Sequence, residues 1–257
     1  MDLSQFDWKF KIFGFPVRVM ISFWLVGLFF SPFSRGFGGP WLIGLLGWSA
    51  GVFLSILIHE LAHAFAIRYI YGSSPTTDLG IGLTENGTFV FGGFTSCDSF
   101  NQATFKGALA TAIGPIVQIA SSVALTLALA PLGIRFITTT IFGFMPMIMA
   151  DYDSFSFLSS ERAIYFAYFF VESFVRIGIL WSLFNLAPIF PCDAGQVLLA
   201  TFGRAFGIVG FRIVLVWSIV LSAAISCLIF RSGSYFWGIF FFLTACFNVR
   251  ILTHGRL

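Results

Sequence analysis

His59-Glu60-Leu61-Ala62-His63 lies within an apolar run, with Gly51-Val-Phe-Leu-Ser-Ile-Leu-Ile58 before it and Ala64-Phe-Ala-Ile-Arg68 after it. Read as a helix, this stretch puts His59 and His63 on one face, a single turn apart. Two imidazoles so placed can share one zinc ion at about 2.0–2.1 Å each. A glutamate directly after the first histidine can serve as general base toward water at that metal. Three ionisable side chains in a long apolar helix each cost a few kcal/mol on insertion, so by default they mark a functional site. The plainer reading is a buried polar cluster that only ties helices together.

The surrounding composition decides the solvent. The chain of 257 residues is 58% hydrophobic, 19% aromatic and 10% charged, with 36 Phe. Soluble domains carry about 25% charged residues. So little polar surface cannot cover a water-soluble globule, which predicts an all-α polytopic membrane protein. The net charge of +3 comes with no basic cluster or stripe, so no nucleic-acid partner is expected. Cys97, Cys192, Cys227 and Cys246 show no CxxC spacing and suggest neither a thiolate metal site nor a redox motif.

Outward from the motif, Trp41–Tyr71 reads as a long span, preceded by a Gly/Pro-rich loop over 34–40. A first span is expected over Val17–Phe33, with Arg18 at its start, after Phe13-Gly14-Phe15-Pro16 as a turn or interfacial strand. After the motif, Leu79–Thr84 and Thr88–Phe91 flank Glu85-Asn86-Gly87. An Asn-Gly pair between alternating runs predicts a β-hairpin, placed here beside the membrane. Further spans are expected over Gly107–Leu132 (broken early at Gly114-Pro115), Ala163–Ala187, Phe211–Phe230 and Tyr235–Leu252. Ile134–Ala150 is apolar but short, holds Pro146, and is open between crossing and not crossing. If it does not cross and both termini are cytoplasmic, Lys9, Lys11, Arg18, Arg68, Lys106, Arg204, Arg212, Arg250 and Arg256 lie inside. Arg35, Arg135, Arg162 and Arg231 then lie outside. That bias favours about six transmembrane helices, with the motif near the cytoplasmic end of its helix. Within Ala163–Ala187, Glu172 and Arg176 are four apart and read as an internal salt bridge.

Zinc with two histidines needs a third protein ligand. His254 sits in the terminal Thr253-His254-Gly255-Arg256 and reads as a solvated tail residue. Asp193, in Asn185-Leu-Ala-Pro188-Ile-Phe-Pro191-Cys-Asp193-Ala-Gly195, is the better candidate. Pro188 and Pro191 cannot continue a helix. Irregular backbone at membrane depth is tolerated only where it lines protein or a wet cavity. The alternative is that Asp193 merely N-caps the following helix.

Together, His59-Glu60-Leu61-Ala62-His63 and Asn185-x-x-Pro188-x-x-Pro191-x-Asp193-x-Gly195 resemble the site-2 protease family of intramembrane zinc metalloproteases. The resemblance covers residues 41–200. Ala112-Ile-Gly114-Pro115 is similar to that family's small-residue Gly-Pro element. At the third ligand the family usually has Leu-Asp-Gly, whereas Cys192-Asp193-Ala194-Gly195 stands here. The resemblance implies His59, His63 and Asp193 as zinc ligands, Glu60 as catalytic base and Asn185 as a holder of substrate or oxyanion. It implies a single membrane-embedded metalloprotease domain over 1–257 of the compact bacterial or archaeal type. Its core is 41–200, with the helices of 205–253 as an extension. It further implies a transmembrane protein substrate, cut in or near its span; with the Lys/Arg bias, the active site is expected to face the cytoplasm from the inner membrane. The rival readings are a membrane zinc carrier with the same ligands, or a non-catalytic interaction protein.

Overall fold

The computed structural model describes residues 6–24, 40–83, 89–97 and 100–254. Among them are five helices long and apolar enough to cross a membrane. They are α1 (Trp41–Tyr71), α2 (Phe105–Leu129), α3 (Glu161–Asn185), α4 (Asp193–Arg231) and α5 (Tyr235–His254). The chain is an integral membrane protein of largely helical build, as the composition requires. The described residues group into two compact units. One comprises residues 1–100, 116–138 and 148–182, and the other 101–115, 139–147 and 183–257.

In the first unit, the expected hairpin belongs to a larger sheet. Strands β1 (Trp8–Ile12), β2 (Phe15–Val19), β3 (Thr76–Leu83) and β4 (Phe89–Ser96) follow one another in space in that order. β1–β2 and β3–β4 are antiparallel, while β2 and β3 run parallel with Val17 opposite Thr77. The Asn86-Gly87 turn itself lies outside the described residues. Val17–Val19 therefore do not begin a span, contrary to the sequence expectation. Their side chains alternate, with Phe15, Val17 and Val19 buried and Pro16 and Arg18 half-buried, which is the period of a strand. Arg18 is held on that strand by Asp7 at 2.7 Å and Asp78 at 3.5 Å. Helix begins only at Ile21–Trp24, and the rest of the expected first span lies outside the described residues. The β1–β2 turn uses Phe13 and Gly14, both with positive φ (52° and 82°). That is the conformation two-residue hairpin turns demand.

The sheet packs on α1 through Phe15, Val17, Val19, Leu79, Ile56, Leu57, Leu61 and Ala64, joined by Ile177 of α3. Where α1 ends, the Arg68 guanidinium lies 3.6 Å from the centre of the Phe15 ring and donates to the Phe13 carbonyl at 3.0 Å. Gly72, in left-handed conformation, returns its N–H to the Arg68 carbonyl. On another side, Gly47 and Gly51 let α1 meet the backbone of α3 at Phe166 and Phe170, where no Cβ would fit. Close approach through small residues is how helices associate where water supplies no hydrophobic drive between them. Glu172 and Arg176 form the expected pair within α3 at 3.3 Å, and Glu172 also accepts from the Ala150 N–H.

Three other expectations are corrected or resolved. α2 runs through Pro115 without a break. A proline inside a membrane helix removes one hydrogen bond, and neighbouring groups make up the difference. Its start is fixed by Thr104, whose Oγ1 accepts from the Gly107 N–H. Residues 134–150 hold strands β5 (Phe136–Ile141) and β6 (Met145–Ala150) rather than a helix, turning at Phe142 and Gly143 with φ of 56° and 74°. The span placed at Phe211–Phe230 is part of α4, which begins at Asp193 and kinks at Gly207, where φ is 59°. In this second unit, α4 and α5 share a core of Leu199, Val214, Leu215 and Ile251. The irregular backbone at Phe190 is satisfied from both helices: Ser218 Oγ accepts from its N–H and Asn248 Nδ2 donates to its carbonyl.

Candidate active site

His59, Glu60 and His63 are buried on α1, at 1%, 2% and 6% exposure. The helical period brings His59 Nε2 and His63 Nε2 to 3.1 Å from each other. Two nitrogens bound to one tetrahedral ion at about 2.05 Å would stand about 3.3 Å apart. The pair thus already holds nearly the bite that zinc needs, and the donor set is of the kind zinc takes. The other nitrogen of His59 faces away from His63, with Nδ1 2.8 Å from Gln118 Oε1 on α2.

Glu60 points toward the sheet. Thr95 Oγ1, on β4, donates to Glu60 Oε2 at 2.7 Å, and Thr77 Oγ1, on β3, lies 3.0 Å from Thr95 Oγ1. With the single Thr95 proton given to the carboxylate, Thr77 is the donor in the threonine pair. This line fixes the rotamer of Glu60 from the sheet side. Gly93, two residues before Thr95, lies against Glu60 Oε1 so closely that a Cβ there would overlap the carboxylate. The approach of β4 to the carboxylate therefore requires glycine for space rather than for backbone angle. Gly93→Ala is expected to lower stability by about 1–3 kcal/mol, the range for overpacking a filled site. Gly203→Ala, where nothing lies within 4 Å of the added carbon, is the control and should not. Unfolding in detergent compares the two, and equal stabilities would show that β4 yields freely.

Asn185 is the last residue of α3, and Asp193 the first helical residue of α4. Residues 186–192 between them are irregular, as Pro188 and Pro191 require. Cys192, not Asp193, holds the N-cap position, and its side chain makes no capping hydrogen bond. Asp193 itself is the first residue inside the helix. His254 ends α5 and is exposed, as expected of a tail residue. Cys97, Cys192, Cys227 and Cys246 form no disulfide.

Thr95, Gly93 and Gln118 were not singled out from the sequence. For Gln118 a signal existed, since a primary amide inside an apolar helix calls for a partner. For Gly93 and Thr95 there was none, because their value comes from a strand pairing that delivers them to a distant helix.

The fold and the paired histidines define a class: polytopic membrane proteins that pack a helix bearing two buried, adjacent histidines against a small sheet. No family model matches the sequence, and no curated protein matches it. Among solved structures, the chain shares its fold with the site-2 protease from Methanocaldococcus jannaschii. The TM-score is 0.53 at 17% identity, over 98% of this chain and 96% of that one.

Proposed function

We propose that the chain is an intramembrane zinc metalloprotease that hydrolyses a peptide bond in or near a transmembrane segment of a membrane protein. The observation that carries this is the buried His59–His63 pair, its Nε2 atoms at near-chelating separation and Glu60 beside it, in a chain with a site-2 protease fold. His59, His63 and Asp193 each offer one ligand atom of the kind zinc takes. When bound, zinc supplies Lewis acidity, polarising the scissile carbonyl and acidifying water.

The remaining steps belong to the chain's own residues. Glu60 takes a proton from the attacking water and delivers it to the leaving amine. Thr95 and Thr77 hold its carboxylate in one orientation, so little reorganisation is needed at the moment of transfer. Asn185 donates a hydrogen bond to the oxygen on which negative charge develops. A helical substrate hides its carbonyl in its own hydrogen bonds and must unwind locally. β4 ends the order of the four-stranded sheet, and an unwound segment could add to it as a further strand through main-chain hydrogen bonds. Purified protein mixed with a model single-span substrate should produce one defined cut, lost on chelation and restored by zinc. A cut that persists in chelator would refute the metal mechanism.

The same reading places the protein in a cell's inner membrane, with both termini and the site toward the cytoplasm, from the distribution of Lys and Arg. Reporter fusions between Ser96 and Phe105 should read as cytoplasmic, and fusions near Asp153 as external. The opposite pattern would turn the site to the other face.

A further inference from the structure

Gln118 sits within α2 at 0% exposure, where an amide out of reach of water must have partners. All of its hydrogen-bonding capacity is used. Its Nε2 donates to the Ser55 carbonyl at 3.2 Å and to Ser55 Oγ at 3.0 Å. Its Oε1 lies 2.8 Å from His59 Nδ1 and 2.7 Å from Ser182 Oγ, whose single proton it shares with the Gly178 carbonyl at 2.6 Å. The orientation of the amide follows from chemistry rather than choice. The Ser55 carbonyl can only accept, so the group facing it must be the NH2. A reversed amide would set two carbonyl oxygens against each other in a buried place. The oxygen therefore faces His59, and an oxygen with lone pairs asks Nδ1 to carry the ring proton. A neutral imidazole protonated at Nδ1 has its lone pair at Nε2. That is the nitrogen which stands 3.1 Å from His63 Nε2.

We infer that Gln118 is a positioning residue: clamped by Ser55, it locks His59 in the tautomer and ring orientation that present Nε2 to the metal. The inference rests on the zinc reading of the site. Ser55 lies one turn before His59 on the same helix, so α1 sets the orientation of the amide that in turn orients its own histidine. Ser182, on α3, brings a hydroxyl to the same oxygen, its proton shared with the Gly178 carbonyl. Three helices thereby converge on one proton position.

The test has two arms. Zinc affinity is measured by competition with a chromophoric chelator in wild type and in Gln118→Met, which keeps the length but offers Nδ1–H only a weak thioether acceptor. Loss of such an outer partner typically weakens metal binding by about 10–100-fold, and that is the expected result. Affinity within about two-fold of wild type would overturn the proposal, since the expected loss is at least ten-fold. The second arm needs no variant, and decides the matter if Gln118→Met fails to fold. Side-chain 15N spectra of the metal-free wild type report the tautomer of each histidine, and with three His in the chain assignment is direct. His59 should be protonated at Nδ1; protonation at Nε2 would overturn the proposal. A wild type that binds no zinc fails the underlying reading. It is told apart from failure of this proposal alone, in which wild type and Gln118→Met bind zinc equally.

Discussion

Glu60→Gln is expected to retain zinc while peptide-bond cleavage falls by about 10²–10⁴-fold, the usual contribution of a general base. The substitution keeps the size of the side chain, and its amide oxygen can still accept from Thr95 Oγ1, the contact that holds Glu60 now. What it removes is the capacity to take a proton. The environment sharpens the test: Glu60 is 2% exposed, so a neutral amide there lowers the burial cost and should fold at least as well. Lost activity could not then be ascribed to lost structure. A zinc carrier built on the same ligands predicts something else, with Glu60→Gln changing zinc flux and no proteolysis in the wild type. Zinc transport across liposomes that depends on Glu60, in a wild type that cuts no membrane-embedded peptide, would end the protease reading.

The second large effect concerns the metal. His59→Ala with His63→Ala should abolish zinc retention and cleavage together, and Asp193→Ala should lose most of both. His254→Ala should change neither, because that residue is exposed at the end of α5. Metal analysis of the purified variants gives the answer directly. A double histidine variant that still carries one zinc per chain would place the metal elsewhere and dissolve the site.

The parts legible in the sequence were those set by short-range pattern. The helix carrying His59 and His63 follows from a long apolar run, and their common face from a spacing of four. The hairpin of β3 and β4 was announced by alternation around Asn86-Gly87, although its strands reach farther, from Thr76 to Leu83 and from Phe89 to Ser96. Where pattern was ambiguous, reading failed. Val17–Val19 are apolar and precede more apolar residues, so a strand that alternates for only five positions was absorbed into a helix. The 134–150 stretch, open between crossing and not crossing by sequence, forms β5 and β6; its turn at Phe142-Gly143 cannot be told from a helix segment by hydrophobicity. Pro115 misled in the other direction, since the rule that proline ends helices is weaker in a membrane than in water. The hydrogen bonds of Glu60 and His59 were beyond any local reading. Thr95 and Gln118 reach them from other elements, and only the assembled fold puts them there.

The parallel pairing of β2 with β3 has a consequence for how the molecule is made. Its two strands lie on either side of α1 in the chain, so they cannot meet by a tight turn and must wait for a crossover. The histidine row matures with its own helix, by contacts that are local and quick to form. Thr77 and Thr95, which steady Glu60, lie on β3 and β4 and reach it only once that hairpin packs back on α1, a less local step. A nascent chain can therefore present the two histidines well before its carboxylate is set. The histidine pair and the steadied carboxylate are thus products of different steps of folding.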